Sequence, residues 1–353
     1  MYLVVRSKLD GSIVFSMSVS PRIAKLQKLS KLGFDDEKYE LAVVSEVPKV
    51  RTGSRIIPEV VNTEIVERKT HIKRTALGDL LMLFMSLEEY KIVSGEMLVI
   101  STGSAYIDLC RRQWFINEVV DLVEPHKRYI KSFDLEGAVD FVRPVDQKDR
   151  QGMFANALGV KLKDKVSKNY VILKPAEIRK AQRFLKSRCP ETPIIGIMPV
   201  SKSYLRDWGR EIELAEKMPE ATFLVFHHQL LPQFDGYENI VNLSGKTTVI
   251  EMCALASQTD CGGFTDTGLL HVYGNLGLPY VLIAGGVIPP NLRAAYYDFI
   301  FPLTGQCQYS PCFDGVEYDC IRSINSKRCM SEKVISMDTV LKTVFIALEA
   351  KHD

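Results

Sequence analysis

Short apolar runs and amphipathic stretches alternate along the chain from about residue 66 onward. Residues 70–73 predict a strand, and after a glycine-containing turn Asp79–Leu87 predicts a helix. Met97–Ser101 follows as a strand, Ala105–Val119 has helical spacing, and Val139–Phe141 predicts another strand. The polar segment from Arg143 to Lys168 carries few signals. In the second half the continuous apolar runs Pro193–Met198 and Thr222–Phe226 suit strands buried on both faces. Ile240–Leu243, a helix over Thr247–Ser257, Cys261–Phe264 and Tyr280–Ala284 continue the style. A last helix, Met337–Ala350, carries Val340, Leu341, Val344, Phe345 and Leu348 on one face, which predicts packing back across two domains.

Strand and helix in alternation predict parallel sheets with right-handed crossovers. Two such series give an α/β chain of two Rossmann-like domains facing a cleft, over 66–185 and 186–353. Residues 1–65 differ: Tyr2–Val5, Ser12–Met17 and Leu41–Val47 are rich in β-formers, with a basic helix-like stretch at Ile23–Leu32. They predict a small β-rich N-terminal extension.

Composition changes this picture little. The 353 residues are 46% hydrophobic and 25% charged, as in soluble globular proteins. A net charge of +2 leaves no polyanion footprint, which argues against a dedicated nucleic-acid binder. Positive charge clusters over Glu67–Arg74 and at Arg111 and Arg112; such runs are solvated faces or face anionic lipid or an acidic substrate. Arg6, Lys8 and Asp10 interrupt the apolar start before a secretory core forms, and no apolar run reaches the roughly 18 residues of a membrane span. Cys110, Cys189, Cys253 and Cys261 sit singly in apolar surroundings, as reduced core cysteines do. The expectation is a cytoplasmic protein, peripheral on the inner membrane face where its acceptor is membrane-associated.

Ligands of parallel sheets bind beyond the carboxyl ends of strands. Three such loops are polar. The first runs from Arg74 to Asp79: Gly78 permits a tight turn, and Asp79 opens an apolar helix. Asp79 reads as an N-cap, or as a general base favoured by the helix dipole. The second follows IIGIM and holds Ser201, Lys202 and Arg206 ahead of Trp208, either an exposed polar loop or hydroxyl and cationic contacts to a pyrophosphate. The third is GGFTDTGLLHVYGNLGLP, residues 262–279. Asp266 or Thr267 can cap the helix that starts at Gly268, yet the same free N–H groups form an anion site. His271, one turn into that helix, is what capping explains least.

Together the segments IKRTALGDLLMLFMSL, IIGIMPVSKSYLRDW, the block from Leu243 to Gly286 with its Asp-Thr-Gly-x-x-His core, and the cysteine-bearing segment from Cys307 to Val340 resemble glycosyltransferase family 9, the ADP-heptose:lipopolysaccharide heptosyltransferases. The resemblance implies a GT-B fold and an inverting, metal-independent transfer from a nucleotide-diphosphate sugar, ADP-heptose in the family, to a saccharide acceptor. It implies Asp79 as base, with Ser201, Lys202, Arg206, Asp266, Thr267, Gly268 and His271 at the donor. Arg206 stands where the family usually has lysine, Val200 replaces a small residue, and Lys202 replaces a second hydroxyl. After the strand ending at Phe226 no acidic residue grips the nucleoside; His227, His228 or Gln229 take that position. Cys307, Cys312, Cys320 and Cys329 lack a CxxC pair and read as reduced structural cysteines, with a structural metal as the less favoured alternative. Relatives that glycosylate autotransporter proteins instead hold iron with four cysteines near this place and carry an added N-terminal domain. Transfer to protein or modified nucleic acid, and a nucleotide-sugar-binding protein without turnover, are the alternatives.

Overall fold

The continuous apolar runs become parallel strands, and the loops at their carboxyl ends carry the polar motifs. The computed structural model describes residues 2–7, 13–18, 39–44, 69–122, 129, 131–136, 149–162, 168–189, 193–202, 206–285, 290–305, 330 and 334–351. The chain divides into two compact units, Met1–Gly53 and Ser54–Asp353. In the first, β1 (Tyr2–Ser7), β2 (Ile13–Ser18) and β3 (Tyr39–Val44) form an antiparallel sheet in the order β2-β1-β3. The helix expected at Ile23–Leu32 and the strand expected at Val139–Phe141 lie outside the described residues.

The second unit begins with β4 (Lys69–Lys73), α1 (Leu77–Ser94), β5 (Met97–Thr102), α2 (Ile107–Arg111), β6 (Glu118–Asp121) and β7 (Lys131–Asp134), then α3 (Arg150–Leu158) and α4 (Pro175–Arg188). Its four strands are all parallel, in the order β6-β5-β4-β7. A second series follows: β8 (Ile194–Ile197), α5 (Glu211–Lys217), β9 (Thr222–Val225), β10 (Ile240–Asn242), α6 (Val249–Ala256), β11 (Cys261–Phe264), α7 (Gly268–Leu276), β12 (Tyr280–Ala284), α8 (Pro290–Arg293), β13 (Ile300–Thr304) and α9 (Met337–Glu349). These six strands are also parallel, in the order β10-β9-β8-β11-β12-β13. That is the Rossmann order, and strand order reverses beside the first strand of each sheet. The reversals fall between β4 and β7 and between β8 and β11, where a doubly wound sheet opens a crevice for ligands.

Three expectations need correction. The helix over Ala105–Val119 is only Ile107–Arg111. Gln113 Nε2 donates to the carbonyls of Leu109 and Tyr170, and Asn117 Oδ1 accepts the Leu98 N–H at 2.9 Å, which draws the chain into the sheet edge. The final helix buries Met337, Val340, Val344 and Ala347 against the second sheet, packing on β11, β12 and β13, and leaves Phe345 49% exposed. Finally, the basic run before Asp79 is not a solvated face over its described part. Lys69 pairs with Glu118, Lys73 with Asp134 and Arg74 with Asp79, and His71 is buried between Ser101 and Ser132. The pattern also leaves α4 unmarked, because that helix buries only Ala181 and Leu185.

One face of the six-stranded sheet shares a core with α1, α6, α7 and the four-stranded sheet, while the other face packs under α9. Every residue from Leu80 to Glu88 is buried, so α1 has no solvent face there. β11 is equally tight: a Cβ added at Gly262 would meet ring atoms of Tyr273 and Tyr280 at 2.7 Å. Gly262→Ala is therefore expected to lower unfolding stability by about 1–3 kcal/mol, the usual cost of overpacking, read from the urea midpoint. An unchanged midpoint would mean that the two rings have room to move.

Candidate functional site at the facing switch points

At the first reversal, β4 ends in Arg74, whose side chain is 2% exposed. Its Nη2 pairs with Asp79 Oδ2, its Nη1 donates to the Leu135 carbonyl at 2.7 Å, and its guanidinium lies 5.6 Å above the Phe154 ring. Glu136, just after β7, accepts from the Thr75 N–H and from the Thr75 hydroxyl at 2.8 Å. The two strands beside the reversal thus tie down one loop. Ala76 holds φ 71° and ψ 130° immediately before α1, a conformation that costs a non-glycine residue about 1–3 kcal/mol. Asp79 sits in the first turn of α1 with its side chain 18% exposed. Beside it is Tyr106, whose phenol pKa is raised by burial and by the Asp79 charge.

At the second reversal, the loop after β8 closes on itself where the Ser201 N–H donates to Asp207 Oδ1 at 2.7 Å. Trp208 is buried with its ring 5.5 Å from Phe264 of β11, which anchors the loop to the sheet. Arg206 reaches the neighbouring loop: its Nη1 donates to the Asp266 carbonyl at 3.3 Å and stands 3.8 Å from Asp266 Oδ2. Lys202 is exposed. His227, at the end of β9, is buried, and its Nδ1 accepts the Gln229 N–H; burial lowers its pKa.

The loop after β11 holds the motif. Thr267 is the N-cap of α7, its Oγ1 accepting the Leu269 N–H at 3.3 Å, so the capping role is present. Asp266 is buried and accepts from Arg293 Nε at 2.9 Å. Burial alone would raise its pKa, but Arg293, Arg206 and Arg150 outweigh that and hold the carboxyl below its ordinary value. His271 is also buried, with Nδ1 3.0 Å from the Tyr297 hydroxyl. Burial, then repulsion from Arg293, Arg150 and Arg206, pushes its pKa down to about 3 against the opposing pull of Asp266. The imidazole is neutral at physiological pH, a hydrogen-bonding group and not a cation.

The two loops meet. A Cβ added at Gly78 would collide with the His271 ring, and one added at Gly268 would come within 3.1 Å of Leu77 Cβ. Both glycines let the helix starts approach backbone to side chain. The first turns of α1 and α7, one from each Rossmann-like half, are therefore in contact, with Asp79 on one and Thr267, Gly268 and His271 on the other. Of the sequence-predicted residues, Asp79, Arg206, Asp266, Thr267, Gly268 and His271 share this junction, Ser201 lies in the Arg206 loop, and Lys202 is exposed on it. Sequence reading missed Arg74, Tyr106, Arg150 and Arg293. Arg74 was findable, since it ends a strand and directly precedes the motif. Arg150 and Arg293 carry no local signature and arrive by folding alone.

Among solved structures, the Escherichia coli ADP-heptose lipopolysaccharide heptosyltransferase II matches with TM-score 0.60 and 13% identity, over 81% of this chain and 100% of that one. A glycosyl transferase family 9 structure from Veillonella parvula matches with TM-score 0.58 and 14% identity, over 81% and 99%. The fold is that of the family 9 heptosyltransferases. The iron-containing dodecameric glycosyltransferase TibC of enterotoxigenic E. coli covers 100% of this chain and 92% of its own, with TM-score 0.61 and 15% identity, and has also been solved with ADP-D-β-D-heptose. These likenesses establish the α/β GT-B architecture that the sequence predicts. No family model and no curated protein matches the chain in sequence. Among the described residues no helix is long and apolar enough to cross a membrane, and no His, Cys, Asp and Glu cluster is arranged to hold a metal. Cys307, Cys312, Cys320 and Cys329 lie outside the described residues.

The buried imidazole makes stability depend on pH in a defined direction. Below pH 6.5 the unfolded chain takes up a proton at His271 that the folded chain refuses down to about 3. Its contribution is complete above 6.5 and falls by about 1.4 kcal/mol per pH unit as pH drops below that. Urea unfolding at pH 7, 6 and 5 is expected to show His271→Gln losing less stability on acidification than the wild type. Parallel pH dependences would place a charged His271 in the folded state.

Proposed function

We propose that the chain is an inverting, metal-independent glycosyltransferase that moves a heptose-like sugar from a nucleotide-diphosphate donor to a saccharide acceptor. The observation that carries this is the opposition of the two helix starts at the two strand reversals. A carboxylate stands on one side and a ring of N–H and guanidinium donors on the other. The architecture shared with nucleotide-sugar enzymes, one of them solved with ADP-D-β-D-heptose, supports the donor class.

Asp79 removes the proton from the acceptor hydroxyl as its oxygen bonds to the anomeric carbon. Attack comes from the face opposite the diphosphate, so the carbon–oxygen bond to the leaving group breaks with inversion. Arg74 holds Asp79 Oδ2, which fixes the carboxylate's rotation and directs its other oxygen to the acceptor. The Thr267 and Gly268 N–H groups, the α7 dipole, Ser201 and Arg206 receive the charge that develops on the diphosphate. This set of fixed donors suits departure of a diphosphate without a divalent cation. Neutral His271 contributes a hydrogen bond at the junction and adds no charge.

Asp79→Asn keeps the shape and removes the base. Its kcat is expected to fall roughly 10²–10⁴-fold, with donor affinity nearly unchanged, in assays of a nucleotide-sugar panel against saccharide acceptors. Full transfer by this variant would remove Asp79 from the mechanism. Failure of the wild type to bind any nucleotide sugar would remove the transferase reading, and binding without transfer to any acceptor would favour a nucleotide-sugar-binding protein.

A second reading, transfer to protein, is favoured by the TibC match spanning all of this chain where the lipopolysaccharide enzyme spans 81%. In the family, an N-terminal addition accompanies relatives that glycosylate autotransporter proteins and hold iron through cysteines. Four thiols at Cys307, Cys312, Cys320 and Cys329 are a soft donor set that fits iron. This reading expects iron in elemental analysis of the purified chain, lost on Cys312→Ser. A metal-free chain that transfers sugar at full rate would exclude the iron part of it.

A further inference from the structure

His271 meets its surroundings differently at its two ring nitrogens. Nδ1 lies 3.0 Å from the Tyr297 hydroxyl, whereas Nε2 makes no hydrogen bond among the described residues. The Nε2 edge lies against Gly78, where an added Cβ would stand 3.1 Å from Nε2. A neutral imidazole carries one ring proton, and its position decides whether this open edge donates or accepts. The neighbouring hydrogen bonds fix that position. Asn275 is buried one turn further along α7; its Oδ1 accepts the Tyr170 N–H at 3.3 Å and its Nδ2 donates to the His271 carbonyl at 2.8 Å. An N–H only donates and a carbonyl only accepts, so both bonds require the same amide orientation. Nδ2 also donates to the Tyr297 hydroxyl at 3.3 Å. That phenol is buried beside Gly274, and burial raises its pKa, so it keeps its proton. Having accepted from Asn275, the hydroxyl donates to His271 Nδ1. A hydrogen on Nδ1 would instead leave the phenol proton buried without a partner, which folded proteins avoid.

We propose that Tyr297, held by Asn275, is a positioning residue that fixes His271 as the Nε2–H tautomer, so that a hydrogen-bond donor is presented to an oxygen of the sugar-diphosphate beside Asp79. This rests on the transferase reading above. Gly78 directly precedes Asp79 in the first turn of α1, so the open ring edge stands where acceptor and donor meet. The oxygens of a sugar-diphosphate linkage carry lone pairs and no hydrogen. An unprotonated Nε2 would repel them, and Nε2–H attracts them. The oxygen that leaves with the diphosphate gains charge as its bond to the anomeric carbon breaks. A donor fixed there therefore contributes more to the transition state than to the bound donor. No proton is transferred: His271 keeps its Nε2 hydrogen throughout.

The test compares wild type, Tyr297→Phe, His271→Gln and the double variant. Nitrogen-15 NMR of histidine-labelled protein reads the tautomer, the His271 signals being those absent from His271→Gln. At pH 7 the wild type is expected to show a protonated Nε2 and a bare Nδ1, and Tyr297→Phe a mixture of tautomers. Adding ADP-, GDP- or UDP-linked sugars is expected to move the wild-type Nε2 signal with the sugar that binds. Initial rates with that sugar are expected to give Tyr297→Phe a roughly tenfold lower kcat, the value of one hydrogen bond, and a nearly unchanged donor KM. The His271→Gln amide offers an N–H near the Nε2 position and has no tautomer to set, so Tyr297→Phe is expected to cost nothing further in that background. Losses that add in the double variant would reduce Tyr297 to packing and overturn its route through His271. A wild type with the proton on Nδ1 would overturn the tautomer, and an Nε2 signal unmoved by a bound nucleotide sugar would overturn the contact. Unaltered kcat in Tyr297→Phe would overturn the role of Tyr297 while leaving the transferase reading intact. A wild type that binds no nucleotide sugar would overturn both.

Discussion

Everything at the site depends on two helix starts packed closer than side chains normally allow. Gly78 lies under the His271 imidazole and Gly268 lies against Leu77, so the two parallel sheets meet through glycine at the points where their strand orders reverse. Doubly wound sheets offer a ligand crevice at that point, and here the loops of the two reversals touch. The join also brings two helix starts together, and the free N–H groups and dipole of a helix start favour anions. A single doubly wound sheet could bind one substrate at such a place. Two sheets meeting across a glycine contact bring the Asp79 carboxylate to the helix start that carries Thr267, Gly268 and His271.

Charge is distributed to suit that geometry. Each carboxylate at the junction is matched to an arginine from another element, half-buried Asp79 to Arg74 and buried Asp266 to Arg293. Such pairing fixes side-chain direction more than it adds net stability, since desolvation offsets most of the attraction. The neutral imidazole follows from its burial and then from the same crowding of cations.

Legibility in the sequence followed the length scale of each signal. β8, β9, β11 and β12 were readable because a strand buried on both faces leaves an unbroken apolar run. β7, with the sequence KSFD and no buried residue, leaves no such mark, and α4 shows only a thin apolar stripe. The motif residues of the site were visible because glycine, carboxylate and hydroxyl are out of place at the end of an apolar strand. Arg293, 27 residues beyond its partner Asp266, was invisible for the opposite reason. An arginine after a short turn is ordinary until folding brings it to a buried carboxylate. The helix expected at Ala105–Val119 failed where the side-chain amides of Gln113 and Asn117 bond backbone groups of other segments, the Tyr170 carbonyl and the Leu98 N–H, and hold the chain to them.

The enclosure of α1 has a consequence for how variation in this protein should be interpreted. From Leu80 to Glu88 no position faces solvent, so the two turns that follow Asp79 offer no neutral substitutions. A saturation scan across the motif would find intolerance running continuously from the carboxylate into the helix, with chemistry and packing indistinguishable by growth alone. The same burial would constrain natural divergence along this helix whether or not the reaction is retained. A chain that had lost turnover would preserve the motif's surroundings as a fossil of its core, and only the exposed edge at Asp79 itself would drift.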